Sequence, residues 1–194
     1  MTISKFTPIL SVFFLSACGL GSIEAALSYD EKEEWTNETY DEAKSLGDLT
    51  AQEFTDLAGS VTYDGTIRIY AINSSDTAEI FGDATLVLDF DTNDLTSSGV
   101  SGLVGSDENG TFGSYSGTVD IELDGAIDRT FTLLTSGNIS GNGDTIVFVD
   151  MANDLRIRGS NAQILRTGGY GVQDASINGE DAYFYGPSFV LERQ

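Results

Sequence analysis

Histidine is absent from the chain, cysteine occurs once, proline twice, and lysine and arginine together only nine times. Without histidine, no Ser–His or Cys–His pair can activate a nucleophile. With Cys18 as the one thiol, no intrachain disulfide and no thiolate-built metal site can form. Nine basic residues face 31 acidic ones, a net charge of −22. Such a chain repels nucleic acid and anionic head groups. A macromolecular partner is expected to be basic, to be bridged by a divalent cation, or to meet an uncharged patch. Long apolar runs are also missing. The longest, residues 6–15, is broken by Thr7, Pro8 and Ser11 and falls well short of the ~20 residues a spanning helix needs. Glycine is plentiful at 22 residues but has no three-residue period, which excludes collagen and fits a chain of many tight turns.

Lys5, the short apolar run and the small residues Ser16 and Ala17 have the layout of a secretory leader, residues 1–17. Leu15-Ser16-Ala17-Cys18-Gly19 resembles the lipobox of bacterial lipoproteins, which implies acylation of Cys18 as the first residue of the mature chain. At ~0.8 kcal/mol per buried methylene, one acyl chain holds marginally and two hold stably. Removing the leader takes Lys5 and leaves eight basic against 31 acidic residues, a net −23. The competing reading is an ordinary leader with Cys18 incidental, releasing a soluble domain. Gly19 is not the aspartate that retains some lipoproteins at the inner membrane, so a lipid-anchored outer-membrane location is expected, facing outward or into the periplasm.

The mature chain divides into an acidic tether, 18–58, and a body, 59–194. Low hydrophobicity and high charge predict that much of the tether is disordered. Thr50-Ala51-Gln52-Glu53 has capping-box spacing and predicts a short helix. Trp35 and Tyr40 are either a partner motif or residues that pack loosely on the body or merely tolerate exposure, and the second reading is preferred. From residue 59 the pattern alternates: Val61, Tyr63, Ile67 and Ile69 against Thr62, Asp64, Thr66 and Arg68, then Ala84, Leu86, Leu88 and Phe90 against Thr85, Val87, Asp89 and Asp91. Further strands are predicted at about 95–105, 110–123, 129–140, 146–151, 155–164 and 182–191. Turns are expected at 73–76, 107–110, 124–125, 142–143 and 153–154. The expected fold is all-β, an eight-stranded antiparallel up-and-down barrel, because eight strands close around an interior that side chains can fill.

Three segments of the body carry a family resemblance. Gly59-Ser-Val-Thr-Tyr63-Asp-Gly65 resembles the opening of the β-barrel domain of transferrin-binding protein B. Gly82-Asp-Ala84-Thr-Leu-Val-Leu-Asp89-Phe90 with Leu95 and Gly99 resembles its strand–turn–glycine hairpin. Tyr183-Phe184-Tyr185-Gly186-Pro187 resembles its Phe-Tyr-Gly-Pro signature, although Ser188-Phe189-Val190-Leu191-Glu192 replaces the usual Ala-x-Glu after the proline. Factor H-binding protein and the neisserial heparin-binding antigen share that barrel. The resemblance implies a Gram-negative surface lipoprotein, in a family whose members bind host proteins or serve iron acquisition. No handle domain is recognisable, so transferrin binding is assigned to no residue. Lipidation of Cys18 is the one site it transfers.

No catalytic constellation stands out, and an enzyme is not expected; nor is a cofactor or a metal. Asp89-x-Asp91-x-Asn93 begins like an EF-hand loop, but Asp94 replaces its glycine and Val100 its glutamate. Ser140-Gly-Asn-Gly143-Asp144 is a single copy of a calcium-type nonapeptide, which works only when stacked. Haem would have to use a tyrosine or Met151. Arg156 and Arg158 share a strand face and could hold an anion, but pairing with carboxylates is preferred. Tyr183, Phe184 and Tyr185 are either a binding surface or barrel filling with one exposed ring, and filling is the preferred reading. The expected function is a monomeric, non-catalytic binding or adhesion module with a protein partner. The alternative is a lipocalin-like carrier, which Phe90, Phe148 and Phe184 would obstruct from inside. A membrane-embedded barrel with its apolar face turned to lipid is a third arrangement.

Overall fold

A computed structural model describes residues 20–170 and 172–194. Cys18 and the leader lie outside the described residues. Helix α1 spans Leu20–Ser45 and α2 spans Ala51–Thr55. The strands follow as β1 Ser60–Ile72, β2 Thr77–Asp89, β3 Asp94–Ser106, β4 Phe112–Asp124, β5 Thr130–Gly141, β6 Asp144–Arg158, β7 Ile164–Tyr170, β8 Val172–Ile177 and β9 Glu180–Arg193.

Each strand pairs antiparallel with the next through β6. β7 and β8 then lie end to end between β6 and β9, so that they share one strand position. Pairing of β9 with β1, from Tyr63↔Arg193 to Ile72↔Tyr183, closes an eight-stranded barrel. β3 and β4 are joined by three pairs only, Val104↔Ser114, Gly105↔Gly113 and Ser106↔Phe112. Alternation sends Ile67, Ile69, Ile80, Leu86, Leu133, Phe148, Phe184 and Leu191 inward, all fully buried. Phe148 and Phe184 stack there with centroids 4.8 Å apart. The Tyr63 hydroxyl donates to the Ala162 carbonyl at 2.9 Å, so this buried ring leaves no polar orphan.

The strand count agrees with the sequence reading, but two boundaries need correction. Asn153-Asp154 is not a turn. It continues β6, where Asn153 is wholly buried and its amide donates to Met151 O at 2.7 Å and Thr135 Oγ1 at 3.1 Å. Two predicted strands therefore merge into one. The place they vacate is filled by β7 and β8, in a stretch whose Arg166, Thr167 and glycines carry little apolar alternation. The β8–β9 turn, Asn178-Gly179, has φ of 56° and 82°, the Asn-Gly conformation that hairpins favour, and its dipeptide was a legible signal.

The tether is also corrected: 20–45 is one continuous helix rather than a disordered chain. Half of its 26 residues are the good helix formers Leu, Ala, Glu and Lys, and Gly47 follows its end. Against the barrel it lays Ala25, Tyr29, Lys32, Thr36, Thr39 and Ala43, at alternating spacings of four and three. This stripe is small or polar, so hydrophobic periodicity cannot reveal it. Tyr29 packs edge-on against Phe81 and Phe112, at 5.0 and 5.1 Å, covering an outward apolar patch completed by Val104. Thr36 and Thr66 share a buried hydrogen bond of 2.7 Å, and Lys32 pairs with Asp83. Beyond α1, the chain crosses one barrel end. There Leu49 is buried, and the predicted capping box at Thr50–Glu53 is formed. Phe54 of α2 meets Phe90 at 6.1 Å, plugging that end.

Candidate functional site

The residues singled out as possible ligands are occupied structurally. Asp89 Oδ1 accepts from the amides of Asp91 and Thr92, both at 2.9 Å, and Asn93 takes φ 56°, so the EF-hand-like segment is a hairpin turn. Those contacts, the Thr92 amide first, hold the Asp89 carboxyl below its usual range. Asn142 and Gly143, with φ of 52° and 91°, form the β5–β6 turn. Met151 is buried inside the barrel. Among the described residues, no cluster of three acidic or other metal-ligating side chains is placed to hold an ion. Arg158 pairs with Asp48 at 2.7 Å, a carboxylate from the α1–α2 linker rather than from a neighbouring strand. Trp35 lies over Gly65, and Tyr40 lies between Lys44 and Arg166, at 4.3 and 4.6 Å from its ring centre, so both serve the docking of α1.

At the barrel end formed by the turns 73–76, 107–111, 142–143 and 178–179, the carboxylates of Asp76, Asp107, Glu108 and Asp144 lie near enough to interact. Asp144 is largely buried: its Oδ1 accepts from Asn178 Nδ2 at 2.9 Å, whereas its Oδ2 has no partner. Burial first, and then the charges of Asp76, Glu108 and Asp107, raise its pKa against the lowering by Asn178. Burial likewise raises the nearby Tyr115 phenol, whose hydroxyl is unpartnered.

The remaining surface of chemical interest lies where β9 closes on β1. Phe184 points inward, and its neighbours Tyr183 and Tyr185 therefore point outward, 63 % and 38 % exposed. Tyr185 is paired across the closing seam with Tyr70, and their rings stand 5.8 Å apart at 55°. Ile72 is paired with Tyr183 in the same seam. Gly186, at φ 123°, carries the chain through an irregularity in the ladder between Arg68 and Tyr70, so that Ser188 lies opposite Arg68. Arg68, Tyr70, Ile72, Tyr185 and Ser188 line a groove of about 340 Å³. Arg68 Nε donates to Glu79 Oε1 at 2.7 Å, which neutralises the groove's one cation locally. The sequence identified Tyr183 and Tyr185 but not Tyr70, Arg68 or Ser188. Only barrel closure brings the first strand beside the last.

No family model, curated protein or solved structure matches the chain.

Proposed function

We propose that this protein is a lipid-anchored outer-membrane lipoprotein, of the same kind as the transferrin-binding-protein-B barrels. In this reading it acts as a non-catalytic binding or adhesion module through the outer face of β1 and β9. The observation that carries the binding role is the outward pairing of Tyr70 and Tyr185, with Tyr183 beside them, on an otherwise acidic surface. Exposed aromatic clusters on a barrel wall contribute nothing to its core, and such patches mark interaction sites. The interior is a poor competitor. Phe90, Phe148 and Phe184 fill it, and its other inward residues are mostly buried aliphatics, which counts against the carrier reading. The outward side chains Asp64, Asp83, Thr85 and Glu122 are polar, which counts against a barrel whose outer face meets lipid.

Anchoring is supported by the lipobox and by two exposed side chains. Ile23 and Leu27, 53 % and 59 % exposed, face away from the barrel on the first turns of α1, within ten residues of Cys18. A membrane interface would cover them. Mass spectrometry of the native N-terminal peptide tests the anchor: a diacylglycerol thioether and an acyl amide at Cys18 are expected, and an unmodified thiol would remove the membrane assignment. Protease shaving of intact cells tests display. Loss of the barrel under shaving is expected, and full protection would turn the protein toward the periplasm. A pull-down with the Tyr185→Ala protein beside the natural one tests the surface, and identical captures would exclude it.

A further inference from the structure

From the chemistry of the β1–β9 groove we infer that its ligand is a neutral saccharide. This deepens the binding reading above and rests on it. Three observations converge on that class. The floor is formed by Tyr70 and Tyr185, 5.8 Å apart, with Ile72, and Tyr183 lies outside this lining on the same face of β9. A pyranose ring presents a face of C–H bonds that packs on the electron-rich face of a tyrosine.

The rim is polar without carrying net charge. Ser188 supplies a hydroxyl, the tyrosines supply phenols, and Arg68 and Glu79 form a salt-bridged pair that offers donors on one side and acceptors on the other. Sugar hydroxyls leaving water need both kinds of partner, because a buried unpaired polar group is costly. Arg68 is already engaged by Glu79, so it supplies no free positive charge to hold an anion. The surrounding protein carries a net −22, which disfavours sulfated or sialylated chains.

The groove also has a continuation suited to a chain. A second cavity, of about 150 Å³, shares Arg68 and Ser188 with it and runs beneath α1 past Thr36, Asn37 and Thr167. Its wall also includes Tyr40, Phe189 and Val190, and since the Thr36 and Thr167 hydroxyls are bonded to Thr66 and to the Phe189 amide, a saccharide stacked on the tyrosines meets the Asn37 amide there. The exposed apolar floor is a few side chains, whereas a stable protein interface covers roughly 800 Å² per partner.

The test is a glycan array probed with the full-length protein and with the Tyr185→Ala and Tyr70→Ala proteins, each checked for unchanged far-UV circular dichroism. Retention of neutral glycans is expected, with retention of sulfated and sialylated ones much weaker. Each ring deletion is expected to weaken the affinity for the best neutral glycan about tenfold, as the loss of one good contact of ~1.4 kcal/mol would. The Asp120→Ala protein, altered on the outward face of β4 far from the groove, is expected to bind as the natural one does. Three results would overturn the assignment: no neutral glycan retained, retention indifferent to both tyrosines, or a preference for anionic glycans. If no glycan binds and the pull-down still yields a protein that Tyr185→Ala loses, the saccharide is wrong and the binding surface stands. If Tyr185→Ala changes neither, both fall.

Discussion

Tyr63 shows how one side chain can belong to the core and still satisfy its polar end. Its ring is fully buried in the barrel, and burial pushes its phenol pKa up. Its hydroxyl closes onto Ala162 O in the β6–β7 turn, far away in sequence. Tyr63→Phe would leave that carbonyl without its donor, at a cost of about 1–2 kcal/mol, read as a lower urea midpoint with an unchanged slope. Asp144 is the opposite case, a buried carboxyl with one oxygen unpaired among other acids. Its native pKa is raised, so the native state holds this proton more tightly than the unfolded chain does. The associated stability is present below the unfolded pKa and is lost as pH rises through the native one. Asp144→Asn is therefore expected to raise the urea midpoint at pH 7 and to have much less effect at pH values where Asp144 is protonated. Equal shifts at both ends of that range would show that its charge is not the cause.

At the scale of elements, the informative one is α1. Its contact residues at 25, 29, 32, 36, 39 and 43 include no large aliphatic side chain. The helix is held by one tyrosine in an aromatic nest, by threonine and lysine contacts, and by Trp35 seated over a glycine. A Cβ at Gly65 would come within 2.6 Å of Trp35 Cη2 and still closer to the Val190 carbonyl. Gly65→Ala must therefore displace the indole or the strand beneath it. As Trp35 is the one tryptophan in the chain, its emission reports the event directly. A red shift is expected, with a stability loss of about 1–3 kcal/mol. An unshifted spectrum would mean that the ring does not sit where the strand approaches. The strands themselves were legible because alternation and turn chemistry agreed at 73–76, 107–110 and 142–143. At 153–154 turn-forming residues sit inside a strand, with tertiary contacts to Asn153 overriding their local preference.

Across the whole molecule, charge is the dominant feature. A chain with a net charge of −22, folded as a barrel with two helices, sets like charges against each other in the compact state. Raising ionic strength shortens the reach of that repulsion from ~30 Å at 0.01 M to ~3 Å at 1 M. The urea midpoint is accordingly expected to climb with added sodium chloride. A fall would mean that attractive pairs such as Arg68–Glu79 and Arg158–Asp48 outweigh the repulsion. The same charge gives the β1–β9 face its contrast, as an aromatic and locally neutral area on an acidic exterior.

By itself, the amino-acid order determined what is local: period-two alternation, turn residues at the hairpins, the capping box at Thr50, and the absence of any histidine- or thiol-based chemistry in the body. Each of these depends on neighbours within a few residues, where side-chain direction and backbone preference are set. Tertiary structure alone decided what depends on remote partners. Closure put Tyr70 beside Tyr185, and the outer patch of Phe81, Val104 and Phe112 gave α1 something to cover. A helix with a small, polar contact stripe has no apolar signal of its own, and a groove made from the first and last strands exists only once the ends of the sheet have met.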